Sequence, residues 1–208
     1  MSAAGVVYVV DDDPSFRRAV TRMLTAAGLS VQSYSSGTEL LAHLSGDAAA
    51  EESGCVLADL CMPGLDGLQL QQACTEAGMA LPFVFLTGHG DVPSAVSAMR
   101  HGAVDFLDKC APQQALLSSL GQALERDANA RVARLKREQL EQRFATLTLR
   151  EREVLEQVVQ GRMNKQIAAA LVNAERTVKL HRNAITTKLG VRSVAELTTL
   201  TREIALFK

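Results

Sequence analysis

Val6-Val7-Tyr8-Val9-Val10-Asp11-Asp12-Asp13-Pro14 is the stretch whose reading decides the fold. Five apolar residues in succession fit a strand buried on both faces, which is how parallel sheets are made. The run ends on three aspartates and a proline. Proline suits the first turn of a helix, and Asp13 can cap it. Phe16, Val20 and Leu24 then recur at helical spacing until Gly28. One strand followed by one helix is thus written in the first 28 residues.

The unit repeats. Ser30–Tyr34 reads as a second strand, and Ser36-Gly37-Thr38-Glu39 has capping-box spacing ahead of Leu40, Leu41 and Leu44. Cys55–Leu60 is a third apolar strand, with Asp59 near its end. Gly67–Ala77 reads as a helix, Phe83–Thr87 as a fourth strand, Val92–Arg100 as a helix, and Val104–Leu107 as a short fifth strand before a helix from Pro112. Five alternations predict an α/β domain, a parallel sheet with helices on both faces. Sites in such sheets lie beyond the carboxyl ends of the strands, near the switch point of the strand order. Asp11 and Asp12, Asp59, Thr87 and Lys109 all fall there.

Composition sets the outer limits. The chain has 208 residues, 47% hydrophobic and 22% charged, which suits one large or two small globular domains and excludes wholesale disorder. No run of 18 apolar residues occurs, so no membrane span or membrane partner is expected. The first residues lack a basic segment and do not read as a signal peptide. Cys55, Cys61, Cys74 and Cys110 have no metal-site spacing and read as reduced thiols, consistent with a cytoplasmic protein. The net charge of −1 hides a gradient: residues 1–111 carry −8, residues 112–145 carry +2 and residues 146–208 carry +5. An acidic front and a basic tail point to two modules, the second suited to a polyanion.

The front module's polar set has a definite chemistry. Three carboxylates in one place repel unless a cation joins them, and oxygen ligands suit Mg²⁺. An aspartate beside a divalent ion is a competent nucleophile toward phosphorus. Lys109 supplies a charge and Thr87 a hydroxyl for the phosphoryl oxygens. Pro63-Gly64 and Asp66-Gly67 are turn signals that shape the loop after Asp59. Taken singly, each of these residues has an ordinary explanation as a helix cap or strand end. Five at one sheet edge favour a site.

The motifs Val9-Val10-Asp11-Asp12-Asp13, Asp59-Leu60-Cys61-Met62-Pro63-Gly64, Thr87-Gly88-His89-Gly90-Asp91 and Asp105-Phe106-Leu107-Asp108-Lys109 resemble the receiver domain of two-component response regulators over about 110 residues. The resemblance implies a flavodoxin-like five-stranded sheet of order 2-1-3-4-5. It implies Asp59 as phosphoacceptor, with Asp11, Asp12, Asp59 and the Cys61 backbone carbonyl holding Mg²⁺. Thr87 and Lys109 would bind the phosphoryl group, and Phe106 would be the aromatic that turns with Thr87. His89 and Cys61 would flank the attacking water. The family usually has Lys-Pro with a cis bond where this chain has Lys109-Cys110. Either the bond is trans and the loop differs, or strain is kept at the site.

From Pro112 to about Phe144 only Gly121 interrupts a helical pattern. Leu116, Leu117, Leu120 and Leu124 form a stripe, and the second half is mostly polar. One long helix is expected, its second half solvated or paired with a copy of itself. In the tail, Thr148-Leu149-Arg150-Glu151 is a capping box ahead of Val154, Leu155 and Val158. Asn164 is a candidate cap for Lys165–Leu171. A turn near Val172-Asn173 leads into a helix ending at Gly190, and Ser193-Val194-Ala195-Glu196 opens a last one. Four helices with a tight turn between the middle two describe a helix-turn-helix, whose second helix fits the major groove.

Leu147–Leu155, Gly161, Asn164-Lys165-Gln166-Ile167-Ala168 and Thr177-Val178-Lys179-Leu180-His181-Arg182 resemble the LuxR-type domain of NarL/FixJ response regulators. The resemblance implies base contacts from Lys179, Leu180 and Asn183. Lys165, Thr177 and Arg182 would contact the DNA backbone, and Lys188 is a further phosphate candidate. Asn173-Ala174 stands where family members often have Ile-Ser, so either the cap is lost or Asn173 supplies it one residue early. The expected domains are a receiver at 1–120, a helical linker at 121–145 and the DNA-binding domain at 146–208. The expected function is a transcriptional regulator, not an enzyme, phosphorylated on Asp59 by a sensor histidine kinase, dimerising and binding promoter double-stranded DNA with RNA polymerase as a further partner. The alternatives are a phosphorylation-independent DNA-binding regulator and a phosphatase of the aspartyl-phosphate type.

Overall fold

A computed structural model describes residues 5–46, 53–88 and 92–205. The chain divides within its longest helix into two compact units, Met1–Arg131 and Val132–Lys208.

The first unit alternates β1 (Val6–Val10), α1 (Pro14–Ala26), β2 (Ser30–Tyr34), α2 (Gly37–Leu44), β3 (Gly54–Asp59), α3 (Gly67–Glu76), β4 (Phe83–Thr87), α4 (Val92–Arg100) and β5 (Asp105–Asp108), then enters α5 (Gln113–Ala145). All pairings are parallel and the order is β2-β1-β3-β4-β5. Strand periodicity sorts the core into two layers. Val7, Val9, Cys55, Leu57, Val84 and Leu86 face Val20 and Leu24 of α1 and Leu116, Leu120 and Leu124 of α5. Tyr8, Val10, Val56, Ala58, Phe83 and Phe85 face Leu40, Leu70, Cys74 and Ala98 of α2, α3 and α4. Both faces are covered, which is why the strands read as unbroken apolar runs. Burial pushes the Cys55 thiol up to about 12 and the Cys74 thiol to about 11, so both stay protonated and inert.

The second unit holds the end of α5, then α6 (Leu149–Val159), α7 (Asn164–Ala170), α8 (Glu175–Leu189) and α9 (Val194–Ala205). Val154, Leu155, Val158, Ile167, Val178, Ile185, Leu189 and Leu197 form its core, with Phe144 of α5 packed against them. Val178, Ile185 and Leu189 are almost wholly buried, each burial being worth roughly 1.5–3 kcal/mol. Among the described residues, no helix is long and apolar enough to cross a membrane.

One capping box forms in full as the sequence expects, and other caps differ from it. Thr148 and Glu151 form a complete box: the Glu151 amide donates to Thr148 Oγ1 at 3.2 Å and the Thr148 amide to Glu151 Oε2 at 2.8 Å. At α2, Ser36 accepts from the Glu39 amide, but Glu39 reaches back to Ser35 instead of Ser36. At α9, Ser193 accepts from the Glu196 amide while Glu196 reaches Arg192. Asn164 is not the cap of α7. It is the first helical residue, its Oδ1 accepts from Arg182, and the Met163 amide is met by Gln166. Before α8 the side-chain cap is lost: Ala174 holds that position, and Asn173 Oδ1 accepts from the adjacent Ala174 amide, which lies outside the helix.

Candidate phosphoacceptor pocket and nucleic-acid face

The sheet order reverses direction at β1, with β2 on one side and β3 on the other, so a crevice opens where these strands end. Asp11 leaves β1 and Asp59 closes β3. Both are buried, whereas Asp12 is exposed at the rim. One carboxylate oxygen from each of Asp11, Asp12 and Asp59 lies within 4.8 Å of the others. That all-oxygen set fits a hard divalent ion such as Mg²⁺.

Lys109, just past β5, reaches across the crevice. Its Nζ lies 2.7 Å from Asp11 Oδ2 and 2.8 Å from Asp59 Oδ2, and 4.5 Å from the centroid of the Phe16 ring. Burial raises the Asp11 carboxyl above its ordinary value, with the Lys109 bond pulling the other way. Burial would lower the Lys109 ammonium, but its bonds to the two carboxylates outweigh this and raise it. The lysine therefore stays charged and screens the two acids from each other.

Local bonds fix the donors. The Asp13 amide donates to Asp11 Oδ1 at 2.9 Å, and the Cys61 amide to Asp59 Oδ1 at 3.3 Å. The Arg17 guanidinium donates to the Asp11 carbonyl, a contact that sequence reasoning missed. The Lys109 amide donates to the Thr87 carbonyl at 2.8 Å, and the Cys110 amide to Asp108 Oδ1 at 2.6 Å. No cis bond occurs among the described residues, so Lys109–Cys110 is trans. Gly67 opens α3 against the site: a Cβ there would sit 2.5 Å from the Asp59 carbonyl oxygen.

The remaining residues of the set lie nearby in register. Thr87 is buried and pairs with Asp108 at the end of β4. Phe106 packs on the layer beneath α3 and α4, 6.5 Å from Phe85. Cys61 is exposed in the loop after β3. His89, Gly90 and Asp91 lie outside the described residues.

In the second unit, the α7–α8 turn passes through Val172, which has φ 48° and is 93% exposed. Arg176, Lys179, Leu180, Asn183 and Thr187 lie on one exposed stripe of α8, opposite its buried face. Lys179, Leu180 and Asn183 were singled out in the sequence. Arg176 and Thr187 were not, although a helical wheel drawn from Val178, Ile185 and Leu189 would have placed them there. Lys165 is exposed on α7, and Thr177 is half-buried on the flank of α8. The other two candidates are bonded within the unit. Arg182 donates to Asn164 Oδ1 at 2.9 Å, and Lys188 to Glu151 Oε2 at 2.7 Å and the Thr146 carbonyl at 3.1 Å.

Residues 7–121 match the family described as response regulator receiver domain, and residues 145–201 match that described as bacterial regulatory proteins, luxR family. The chain is similar to nodulation protein W of Bradyrhizobium diazoefficiens, at 38% identity over 205 residues, 99% of this chain and 88% of that protein. It is similar to the transcriptional regulatory protein FixJ of the same organism, at 35% over 200 residues, 96% of each chain. Among solved structures it resembles the response regulator StyR, with 43% identity, TM-score 0.88 and coverage of 96% of this chain and 99% of that one. Full-length FixJ from B. japonicum gives 34% identity and TM-score 0.57 over 98% of both chains.

Proposed function

The chain belongs to the NarL/FixJ-type response regulators, a family of DNA-binding transcriptional regulators and not of enzymes, and on that premise we propose that it is switched by a phosphoryl group accepted on Asp59 from a sensor histidine kinase. The observation that carries the reading is the Lys109 ammonium held on both Asp11 and Asp59, with Asp12 completing an oxygen set at the sheet switch point.

Asp11, Asp12, Asp59 and the Cys61 carbonyl would hold Mg²⁺, which when bound neutralises charge on the phosphoryl oxygens. An Asp59 carboxylate oxygen attacks phosphorus. The P–O bond forms as the P–N bond to the kinase imidazole breaks, and the imidazole leaves with the electron pair. Lys109 follows the charge from the carboxylate to a phosphoryl oxygen, and the Thr87 hydroxyl donates to another. The phosphoryl dianion that replaces the single carboxylate charge draws Thr87 inward, and Phe106 turns with it. The surface of α4, β5 and the start of α5 then changes and forms a homodimer. Exposed Val96 and Met99 on α4 support this assignment.

Dimerisation brings two readers to promoter double-stranded DNA in the cytoplasm, where RNA polymerase is the further partner. Lys179, Leu180 and Asn183 read base edges, with Arg176 and Thr187 beside them. Lys165, Thr177, Arg182 and Lys188 are the backbone candidates. The domains are assigned as receiver 1–120, linker 121–145 and DNA-binding 146–208.

The test is Asp59→Asn in the full chain, with acetyl phosphate as donor and light scattering as readout. Wild type takes up one phosphoryl group and its mass doubles, whereas the variant stays unlabelled and monomeric with an unchanged circular dichroism spectrum. Donor-dependent dimerisation of the variant would refute the assignment.

A further inference from the structure

We propose that Phe16 is a positioning residue for Lys109: its ring holds the ammonium at the wall of the acidic pocket, so that the lysine is retained there when a divalent ion takes the carboxylates. The inference rests on the phosphoacceptor reading above.

Lys109 Nζ contacts the very carboxylates that a divalent ion needs, at 2.7 and 2.8 Å, while standing 4.5 Å from the Phe16 ring centroid. Without an ion, the ammonium is itself the cation that joins Asp11 to Asp59. An entering ion competes for the same oxygens, and two cations a few ångströms apart repel. At least one lysine bond must lengthen. The side chain then has two destinations, bulk water or the pocket wall. Only the second keeps the charge where a phosphoryl oxygen would arrive.

The main chain does not decide between them. The Lys109 amide is bonded to Thr87 and the Cys110 amide to Asp108 Oδ1, but these bonds fix the backbone and leave the four-carbon stem to swing. The ring face can decide. It attracts a cation without using a carboxylate lone pair, so its hold survives when the carboxylates are taken. The ring is itself fixed: Phe16 sits in the first turn of α1, behind Pro14 and the Asp13 cap, and packs against the core layer of Val20 and Leu24. Helical periodicity accounts for that packing. It does not account for an ammonium over the ring of this half-buried residue.

The experiment uses the full chain with Phe16→Leu and Phe16→Tyr. Leucine keeps apolar bulk and loses the π face; tyrosine keeps both. Mg²⁺ affinity is measured by calorimetry without phosphodonor, and labelling by acetyl phosphate is measured at saturating Mg²⁺. Phe16→Leu is expected to bind Mg²⁺ two- to fivefold more tightly, because the competing ammonium is loosened, and to label five- to tenfold more slowly. Phe16→Tyr is expected to match wild type within twofold in both. Unchanged or weakened Mg²⁺ affinity in Phe16→Leu, or labelling at the wild-type rate, would overturn the proposal. A joint loss of affinity and rate would mark a packing role only. If wild type itself takes no label, the phosphoacceptor reading fails, and the magnesium measurement alone decides the role of Phe16.

Discussion

Replacing Lys188 by methionine separates two roles for this residue, a phosphate contact on DNA and a bolt inside the second unit. Its Nζ lies 2.7 Å from Glu151 Oε2 and 3.1 Å from the Thr146 carbonyl. The Glu151 side chain is 7% exposed and that of Lys188 34%. Methionine keeps the apolar stem and removes the ammonium, leaving a buried carboxylate with the Thr148 amide as its remaining strong donor. A charge-assisted bond of this kind is worth about 1.5–3 kcal/mol. Water reaches the lysine end, so a discounted loss of about 1–2 kcal/mol is expected. For a domain of this size that is a fall of roughly 5–12 °C in the unfolding of the second unit. Thermal unfolding of the full chain reads the shift, and hydrogen exchange of α6 and α8 amides assigns it. The acid limb gives a second reading. The Lys188 bond, and after it the Thr148 amide, hold the Glu151 carboxyl below its ordinary 4.5. A depressed carboxylate stabilises the fold fully above about pH 4.5, and the gain disappears as pH falls through the folded value. The variant should therefore lose less stability on acidification than wild type. If α6 and α8 exchange as in wild type while DNA affinity falls on every sequence and the salt slope drops by about one, the Lys188 ammonium serves a DNA phosphate and is not the bolt on Glu151.

Three other expectations follow from the geometry. Gly67→Ala would press a Cβ to 2.5 Å from the Asp59 carbonyl oxygen, so about 1–3 kcal/mol of stability in urea and most phosphoryl labelling should be lost; normal labelling would contradict the close approach. Val172→Gly relieves a left-handed β-branched residue worth about 1–2 kcal/mol and adds glycine entropy of about 0.5–1 kcal/mol, so a net gain of about 0.5–1 kcal/mol should appear as a higher urea midpoint, and a drop would refute the strain. Lys179→Ala, on the exposed stripe of α8, should leave unfolding unchanged and cost about 1–3 kcal/mol of discrimination between operator and random DNA at fixed salt; equal discrimination would move base readout elsewhere.

The sheet was legible because strands covered on both faces are written as plain apolar runs, as in Val6–Val10 and Phe83–Thr87. Strand ends were less so. The third strand reads as Cys55–Leu60 but runs Gly54–Asp59, since Val6 pairs with Gly54, a residue with no side chain to signal it. Thr148, Ser36 and Ser193 cap as expected, and the other cap expectations failed for a related reason. Asn164, Glu39 and Glu196 have the right spacing, yet each has a competing partner one residue or one helix away. Asp11, Asp59 and Lys109 were legible because strand ends converge by topology. The Phe16 ring beneath Lys109 and the ties of Arg182 and Lys188 were not, because periodicity names a residue's face and never its partner across the fold.

Helix α5 has a consequence for hybrid regulators. Leu116, Leu120 and Leu124 serve the sheet's core, whereas Phe144 serves the other, and Arg143 donates to the Leu189 carbonyl. Between them residues 132–139 are all exposed. A graft that puts a foreign reader on this receiver should be spliced within that exposed stretch. A seam at Thr146 would strand Phe144 and Arg143 with the wrong donor, and the transplanted half would arrive short of its own packing.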